Sequence, residues 1–408
     1  MHQWKKKTIT FLASQGITLF GSSLVQFAIV WYVTLKTSSG AWVSALTVCS
    51  FVPQFLISFF SGVWADRYPR KLLIILSDAV IAAATLALAL LIPFIGDDAT
   101  TLTALLITSV IRSLGAGVQT PAVNAMIPQL VPEEQLMRFN GINATLQSVV
   151  QFAAPAAAGA ILTLGTLRGT LFIDIITAVV GIGMFSCIAV PKPEKKENDI
   201  KRSVFSEMKQ GMKYALSNSL IGRLLLAYGA FIFLAVPAGF LASLYVSRTY
   251  GDSYIYLTVV ELVGFAGMAG GGLFIGAWGG FPNRVKTLFF GIAAFGALAV
   301  GMGAIRSFIV YLALMAVYGV ALTAVQTAVT TIIQEKSKAE MQGRVFGFLG
   351  AMYSGFLPVG MAVFGPLADA VPMPAIMIAT GVMQLALAII LRLDKRVYKE
   401  GYAPQAQE

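Results

Sequence analysis

An all-α membrane protein, with twelve transmembrane helices in two pseudo-symmetric six-helix bundles, is the fold class that the sequence predicts. Three observations predict it. Of 408 residues, 57% are hydrophobic and only 12% charged, about half the roughly 25% charge content usual for a soluble domain. The apolar residues gather into runs long enough to cross a bilayer, which takes about 20 residues each. A polar stretch divides these runs into two sets of six, and the two sets carry short echoes of each other.

Taken in order, the runs fall near 9–35, 41–64, 72–95, 101–125, 141–165 and 169–190. Six more follow near 221–247, 254–279, 286–305, 308–333, 343–368 and 373–392. The domains expected are therefore an N-terminal bundle over 1–190, a cytoplasmic linker over 191–219 and a C-terminal bundle over 220–408. Within the linker, Ser203 to Ser219 reads as an amphipathic surface helix with Val204, Met208, Met212 and Ala215 on one face. Lys5, Lys6 and Lys7 precede an apolar run too long for the h-region of a cleaved signal.

The net charge of +10 would suggest nucleic acid on a water-soluble surface. Its distribution gives a different answer. If the N-terminus is cytoplasmic, the opposite side receives only Lys36, Arg168, Arg248 and Arg306, and Arg112 alone lies within a run. The rest of the 29 Lys and Arg face inward. By the positive-inside rule, the protein is a multi-pass component of the cytoplasmic (inner) membrane with both termini inside. No nucleic-acid partner is expected.

Other chemistries are excluded by composition. The one histidine is His2, and Cys49 and Cys187 lie in apolar runs, so no imidazole catalysis, metal site or disulfide framework is implied. There is no G-x-x-x-x-G-K-S/T phosphate loop. The expectation is a transporter without cofactors, not an enzyme, driven by an ion or solute gradient.

The echoes are specific. Gly62, Trp64 and Arg70 after the second run match Gly276, Trp278 and Arg284 after the eighth. Val118-Gln119-Thr120 matches Val325-Gln326-Thr327. Parallel repeats with a site between them are a transporter architecture. The loop after the second run reads Gly62-Val63-Trp64-Ala65-Asp66-Arg67-Tyr68-Pro69-Arg70-Lys71, and this G-x-x-x-D-R-x-x-R-K pattern resembles the loop motif of the major facilitator superfamily. The resemblance covers the whole chain. It implies a conformational latch between Asp66 and Arg344, at the start of the eleventh run, with Gly62, Arg67, Arg70, Lys71 and Asp78 around it. In the second copy, Gly280 stands where Asp66 stands in the first.

Finer likenesses follow. Arg112-Ser113-Leu114-Gly115-Ala116-Gly117-Val118-Gln119-Thr120-Pro121, Arg138-Phe139-Asn140 and the Trp4-Lys5 entry resemble the macrolide-efflux (Mef-type) proteins and nearby siderophore exporters. Ala154-Pro155-Ala156-Ala157-Ala158-Gly159 is similar to the antiporter motif G-P-x-x-x-G, with its first glycine replaced. The resemblance implies export, with Pro155 and Gly159 as motif residues.

Charges inside a membrane are functional hypotheses because their burial is costly. Arg112 lies about 16 Å into the fourth run at ~1.5 Å per residue, and the resemblance places it at a position linked to proton coupling. The competing reading is a structural arginine bonded to carbonyls. Glu261 lies roughly 10 Å into the eighth run and either takes a proton or faces a water-filled vestibule. Asp78 is read as part of the inner charge cluster, the competing reading being a proton carrier, and Asp174 is expected to be solvated near the outer surface. The cavity is expected to be lined by Gln15, Ser22 and Gln26 of the first run, Gln119 of the fourth and Gln326 of the tenth. Tyr228, Phe231, Tyr318 and Tyr353 either touch a bulky substrate or simply pack. The glycines between Gly264 and Gly272 allow close helix packing and bending.

The expected function is secondary-active export of amphipathic, macrolide-like drugs by alternating access, with proton antiport, by a monomer. Its partners are the small molecule, protons and the lipid bilayer. Export of a siderophore or lipid-like metabolite, or a non-transporting sensor or scaffold on the same fold, are the other readings.

Overall fold

The computed structural model describes residues 3–190 and 218–402. The expected linker and its amphipathic helix therefore lie outside the described residues, Asn218 and the cap it provides excepted. The helices are α1 Gln3–Thr37, α2 Gly40–Arg67, α3 Arg70–Leu91, α4 Asp98–Leu130, α5 Leu136–Leu164 and α6 Leu167–Ser186. They continue as α7 Ser219–Gly239, α8 Ala242–Tyr250, α9 Tyr254–Trp278, α10 Arg284–Ala304, α11 Phe308–Lys336, α12 Ala339–Ala370, α13 Met373–Leu393 and the short α14 Lys395–Glu400. Twelve spans are long and apolar enough to cross a membrane, and no strand longer than one bridge, Asn283 with Tyr402, occurs among the described residues. The chain is thus an all-helical, multi-pass membrane protein. Its outward faces agree: Leu90, Ile107, Ile176, Val179, Leu273 and Ile390 are exposed, a pattern suited to lipid rather than water.

Helix ends are set by local chemistry. Asp97 starts α4 by accepting the Thr100 N–H at 2.7 Å, and Asn218 and Asn283 do the same for α7 and α10. The seventh run, expected as one helix over 221–247, is broken instead. Pro237 lacks the N–H that the Phe233 carbonyl would accept, and the chain turns through Phe240 and Leu241, whose N–H groups both bond to the Val236 carbonyl at 2.9 and 3.0 Å. α4 runs for 33 residues, about 50 Å at ~1.5 Å per residue, well beyond a hydrocarbon core of about 30 Å.

The described residues fall into two compact units. The first lies within Met1–Thr37, Ala45–Asp199 and Ser253–Thr258. Its core includes Phe11, Ile74, Met126, Ile127, Phe139 and Phe185, with Trp4 edge-on to Phe139. Close approach of α1 and α6 depends on Gly21 and Gly181: a Cβ at Gly21 would lie 1.9 Å from Thr177 Oγ1, and one at Gly181 would lie 2.3 Å from Thr18 Cγ2.

The second unit lies within Ser38–Ser44, Ile200–Asp252 and Val259–Glu408. Phe231, Phe295 and Tyr318 stack through its core, with Phe295 and Tyr318 centroids 3.8 Å apart. Gly267 and Gly319 bring α9 against α11; a Cβ on Gly267 would lie 2.1 Å from the Ala316 carbonyl oxygen. α9 itself is continuous through Gly264–Gly272. Asp369 accepts the Gly40 and Ala41 N–H groups at 2.7 and 2.9 Å and pairs with Arg248 at 2.7 Å.

The two copies of the loop motif differ in conformation. Residue 66 is helical, whereas Gly279 and Gly280 hold φ of 76° and 75°, where glycine is favoured. The second copy is a tight turn, and Arg284 holds it by donating to the Gly279 and Phe281 carbonyls while pairing with Glu335 at 3.1 Å.

Candidate functional site

A cavity of about 270 Å³ lies in the first unit. α1 contributes Gln15, Gly16, Thr18, Leu19, Ser22 and Gln26; α2 contributes Ser50 and Gln54. α4 contributes Ser109, Arg112, Ser113, Ala116, Gln119, Thr120, Val123 and Asn124, and α5 adds Asn143, Leu146 and Gln147. Amides and hydroxyls, which both donate and accept hydrogen bonds, are the commonest lining side chains, and they are set in a wall whose exposed surface is more apolar than polar.

Its one cation is neutralised in place. Arg112 Nη1 reaches Asp174 Oδ2 and Thr85 Oγ1, and Nη2 donates to the Ser22 carbonyl at 3.2 Å. Thr85 Oγ1 lies 3.0 Å from Asp174 Oδ2. Arg112 and Asp174 are 7% and 1% exposed, so the pair is fully desolvated and each charge requires the other. Asp174 is therefore not solvated, as its distance from the end of α6 suggests. It points across α6 toward α1 and α3, and Gly21 gives it room: a Cβ there would stand 3.0 Å from Asp174 Oδ1.

Asp78 also departs from expectation. It is 5% exposed and its recorded bond is not to a loop cation; it accepts from Gln119 Nε2 at 2.6 Å. The loop cations do other work. Arg70 donates to the Ala65 and Ala125 carbonyls at 3.0 and 2.8 Å, and Lys71 to the Ser186 and Ile188 carbonyls at 2.8 Å. They close helix C-termini, where cations are favoured. Arg67 is exposed. The side chain of Asp66 lies outside what is described, and with it the expected latch; Arg344 donates to Met341 Sδ at 3.4 Å.

α2 is tied to α4 where it meets the cavity. The Gln54 N–H donates to Ser113 Oγ at 2.9 Å, and Ser113 Oγ donates to the Ser50 carbonyl at 2.7 Å. A side chain from α4 thus bridges the turn around Pro53 within a continuous α2. Pro121 of α4 likewise frees the Gly117 carbonyl, which accepts from Ser61 Oγ at 2.8 Å.

Of the expected lining residues, Gln15, Ser22, Gln26, Arg112 and Gln119 meet at this cavity. Gln54, Asn124, Asn143 and Gln147 were missed, although Asn143 and Gln147 stand one turn apart on α5. The expected residues of the second unit do not gather there. Phe231 and Tyr318 are 0% and 3% exposed and pack in the core, with Tyr228 stacked beside Phe231. Tyr353 and Gln326 are half-buried. Glu261, also half-buried, makes no hydrogen bond or ion pair among the described residues. Pro155 is buried in α5, and Gly159 faces Thr258, whose Oγ1 would lie 1.8 Å from an added Cβ.

The chain is 28% identical over 400 residues to macrolide efflux protein A of Streptococcus pyogenes, covering 98% of each. It is 24% identical to the multidrug efflux pump Tap of Mycobacterium tuberculosis, covering 97% of this chain and 94% of Tap. Among solved structures, a bacterial homologue of the human lysosomal transporter Spinster superposes with a TM-score of 0.74 at 15% identity, covering 99% of both chains. A bacterial homologue of the iron transporter ferroportin gives 0.71 at 17% identity, covering 95% of this chain and 99% of that one. These two likenesses establish the fold. The Major Facilitator Superfamily model matches residues 11–361, and the chain belongs to that superfamily of transporters.

Proposed function

We propose that the protein is a secondary-active exporter of amphipathic, macrolide-like compounds, working by alternating access and exchanging its substrate for protons. It lies in the cytoplasmic membrane as a monomer, with both termini inside. The observation that carries this reading is the first-unit cavity: uncharged amides and hydroxyls set in a largely apolar wall, with one buried, internally neutralised cation at its edge. Such a wall suits an oxygen-rich molecule that offers many hydrogen-bond partners. The efflux proteins that the chain resembles along its length favour a drug over a siderophore or lipid-like metabolite. With no nucleotide-binding motif, an ion or solute gradient is the energy source that active export needs, and protons are the coupling ion that the resemblance to antiporters favours.

The test is uptake of tritiated erythromycin into inside-out proteoliposomes under an imposed pH gradient. The wild type accumulates drug, and collapsing the gradient abolishes accumulation. Cells expressing Arg112→Ala lose the protection against erythromycin that wild-type cells gain. Equal susceptibility of wild-type-expressing and empty cells overturns the drug reading and leaves the other cargoes or a non-transporting role.

A further inference from the structure

Two carboxylates are buried among the described residues of the first unit, and they are held differently. Asp174 of α6 is matched by the guanidinium of Arg112. A proton on Asp174 would strand that cation in a desolvated site, a costly state. Asp78 of α3 is 5% exposed, makes no ion pair among the described residues, and has a neutral amide, Gln119, as its partner. The elements packed on α3 are α4 and α6. Their charged groups are accounted for: Arg112 is engaged by Asp174, and Arg168 donates to the Ala89 carbonyl at 3.0 Å, at the other end of α3. On α3 itself, Arg70 and Lys71 bond to carbonyls. Nothing neutralises Asp78, and burying a carboxyl without a counter-charge costs least when it holds its proton.

Gln119 links this acid to the cavity. Its Nε2 donates to Asp78 Oδ1 at 2.6 Å, its side chain lines the cavity wall, and its Oε1 makes no bond among the described residues. We propose that Asp78 is the proton-carrying group and that Gln119 makes proton and substrate binding mutually exclusive. The inference rests on the export reading above. A hydroxyl or ammonium donor of the substrate occupies Gln119 Oε1, which fixes Nε2 on Asp78. A donor on the carboxyl stabilises its ionised form, so the Asp78 proton leaves to cavity water as substrate binds. When the substrate departs, a proton from water returns to Asp78. The amide then turns over, and Oε1 accepts the new O–H. One proton is exchanged for one substrate, with the sign that antiport requires.

The experiment is erythromycin binding to the purified full-length protein across pH, with proton release followed by a pH-sensitive dye in weak buffer. The wild type releases up to one proton per drug bound, and its Kd rises about tenfold per pH unit as pH falls below the titration of Asp78. Asp78→Asn keeps the amide pairing, releases no proton and binds with a pH-independent Kd. Gln119→Leu keeps the acid, yet drug binding no longer releases its proton. Wild-type binding without proton release, or unchanged release in both variants, overturns the inference while leaving export intact. No erythromycin binding by the wild type overturns the export reading and this inference with it.

Discussion

At the scale of single residues, the buried pair of Arg112 and Asp174 shows what a sequence discloses about a membrane site. Depth is legible: an arginine midway through an apolar run has to be explained, because insertion there costs about 2.5–3.5 kcal/mol. Direction is not. Asp174 stands two turns into α6, and nothing in its neighbours tells whether it faces water or the bundle. The deciding signals, Gly21 on another helix and Thr85 on a third, are far away in sequence. Asp174→Asn should therefore destabilise the protein by about 3–5 kcal/mol, the cost of leaving a desolvated charge without its partner. Asp174→Leu combined with Arg112→Met should cost less than the sum of the single changes. Thermal unfolding in detergent through a double-mutant cycle checks this; additive losses would show that the two side chains act independently.

At the scale of elements, the helices are straightforward where composition is uniform and irregular where proline and serine meet across a contact. The run lengths and the polar breaks between them account for the spans. The break after Pro237 and the Ser113 bridge to Ser50 and Gln54 do not follow from hydropathy, because each depends on which group supplies a bond. Ser113→Ala removes the hydroxyl that both accepts the Gln54 N–H and donates to the Ser50 carbonyl. Stability should fall by about 1–3 kcal/mol, the cost of unsatisfied buried polar groups, and erythromycin transport should fall with it because Ser50 and Gln54 line the cavity. Ser113→Thr, which retains the hydroxyl, should restore most of both. At the start of α4, the carboxyl of Asp97 is held below its ordinary range by the Thr100 N–H. Its folded value lies below the unfolded one, so its capping contribution is present above the unfolded value and is lost as pH falls through the folded one. The protection factor of the Thr100 amide, its exchange relative to an unstructured amide at the same pH, should fall on acidification in the wild type and be low at all pH values in Asp97→Ala.

At the scale of the whole molecule, the echo between the two halves is legible as sequence but not as structure. Gly62, Trp64 and Arg70 align with Gly276, Trp278 and Arg284, yet residue 66 is helical while Gly280 sits at φ 75°. Replacing the acid by glycine has turned the second copy into a tight turn whose arginine is spent on Gly279, Phe281 and Glu335. What both copies retain is positive charge, Arg67, Arg70 and Lys71 in one and Arg284 and Lys286 in the other, and the positive-inside rule makes an inner location the expectation for each. Asp97 lies at the opposite end of α3 from Arg70 and Lys71, and Lys399 lies in α14, after α13; the expected topology puts position 97 outside and position 399 inside. After Cys49 and Cys187 are replaced by alanine, a cysteine at position 97 should react with a membrane-impermeant maleimide in intact cells. A cysteine at position 399 should react only once the membrane is permeabilised. The reverse pattern would invert the topology, and with it the direction of transport assigned to the cavity.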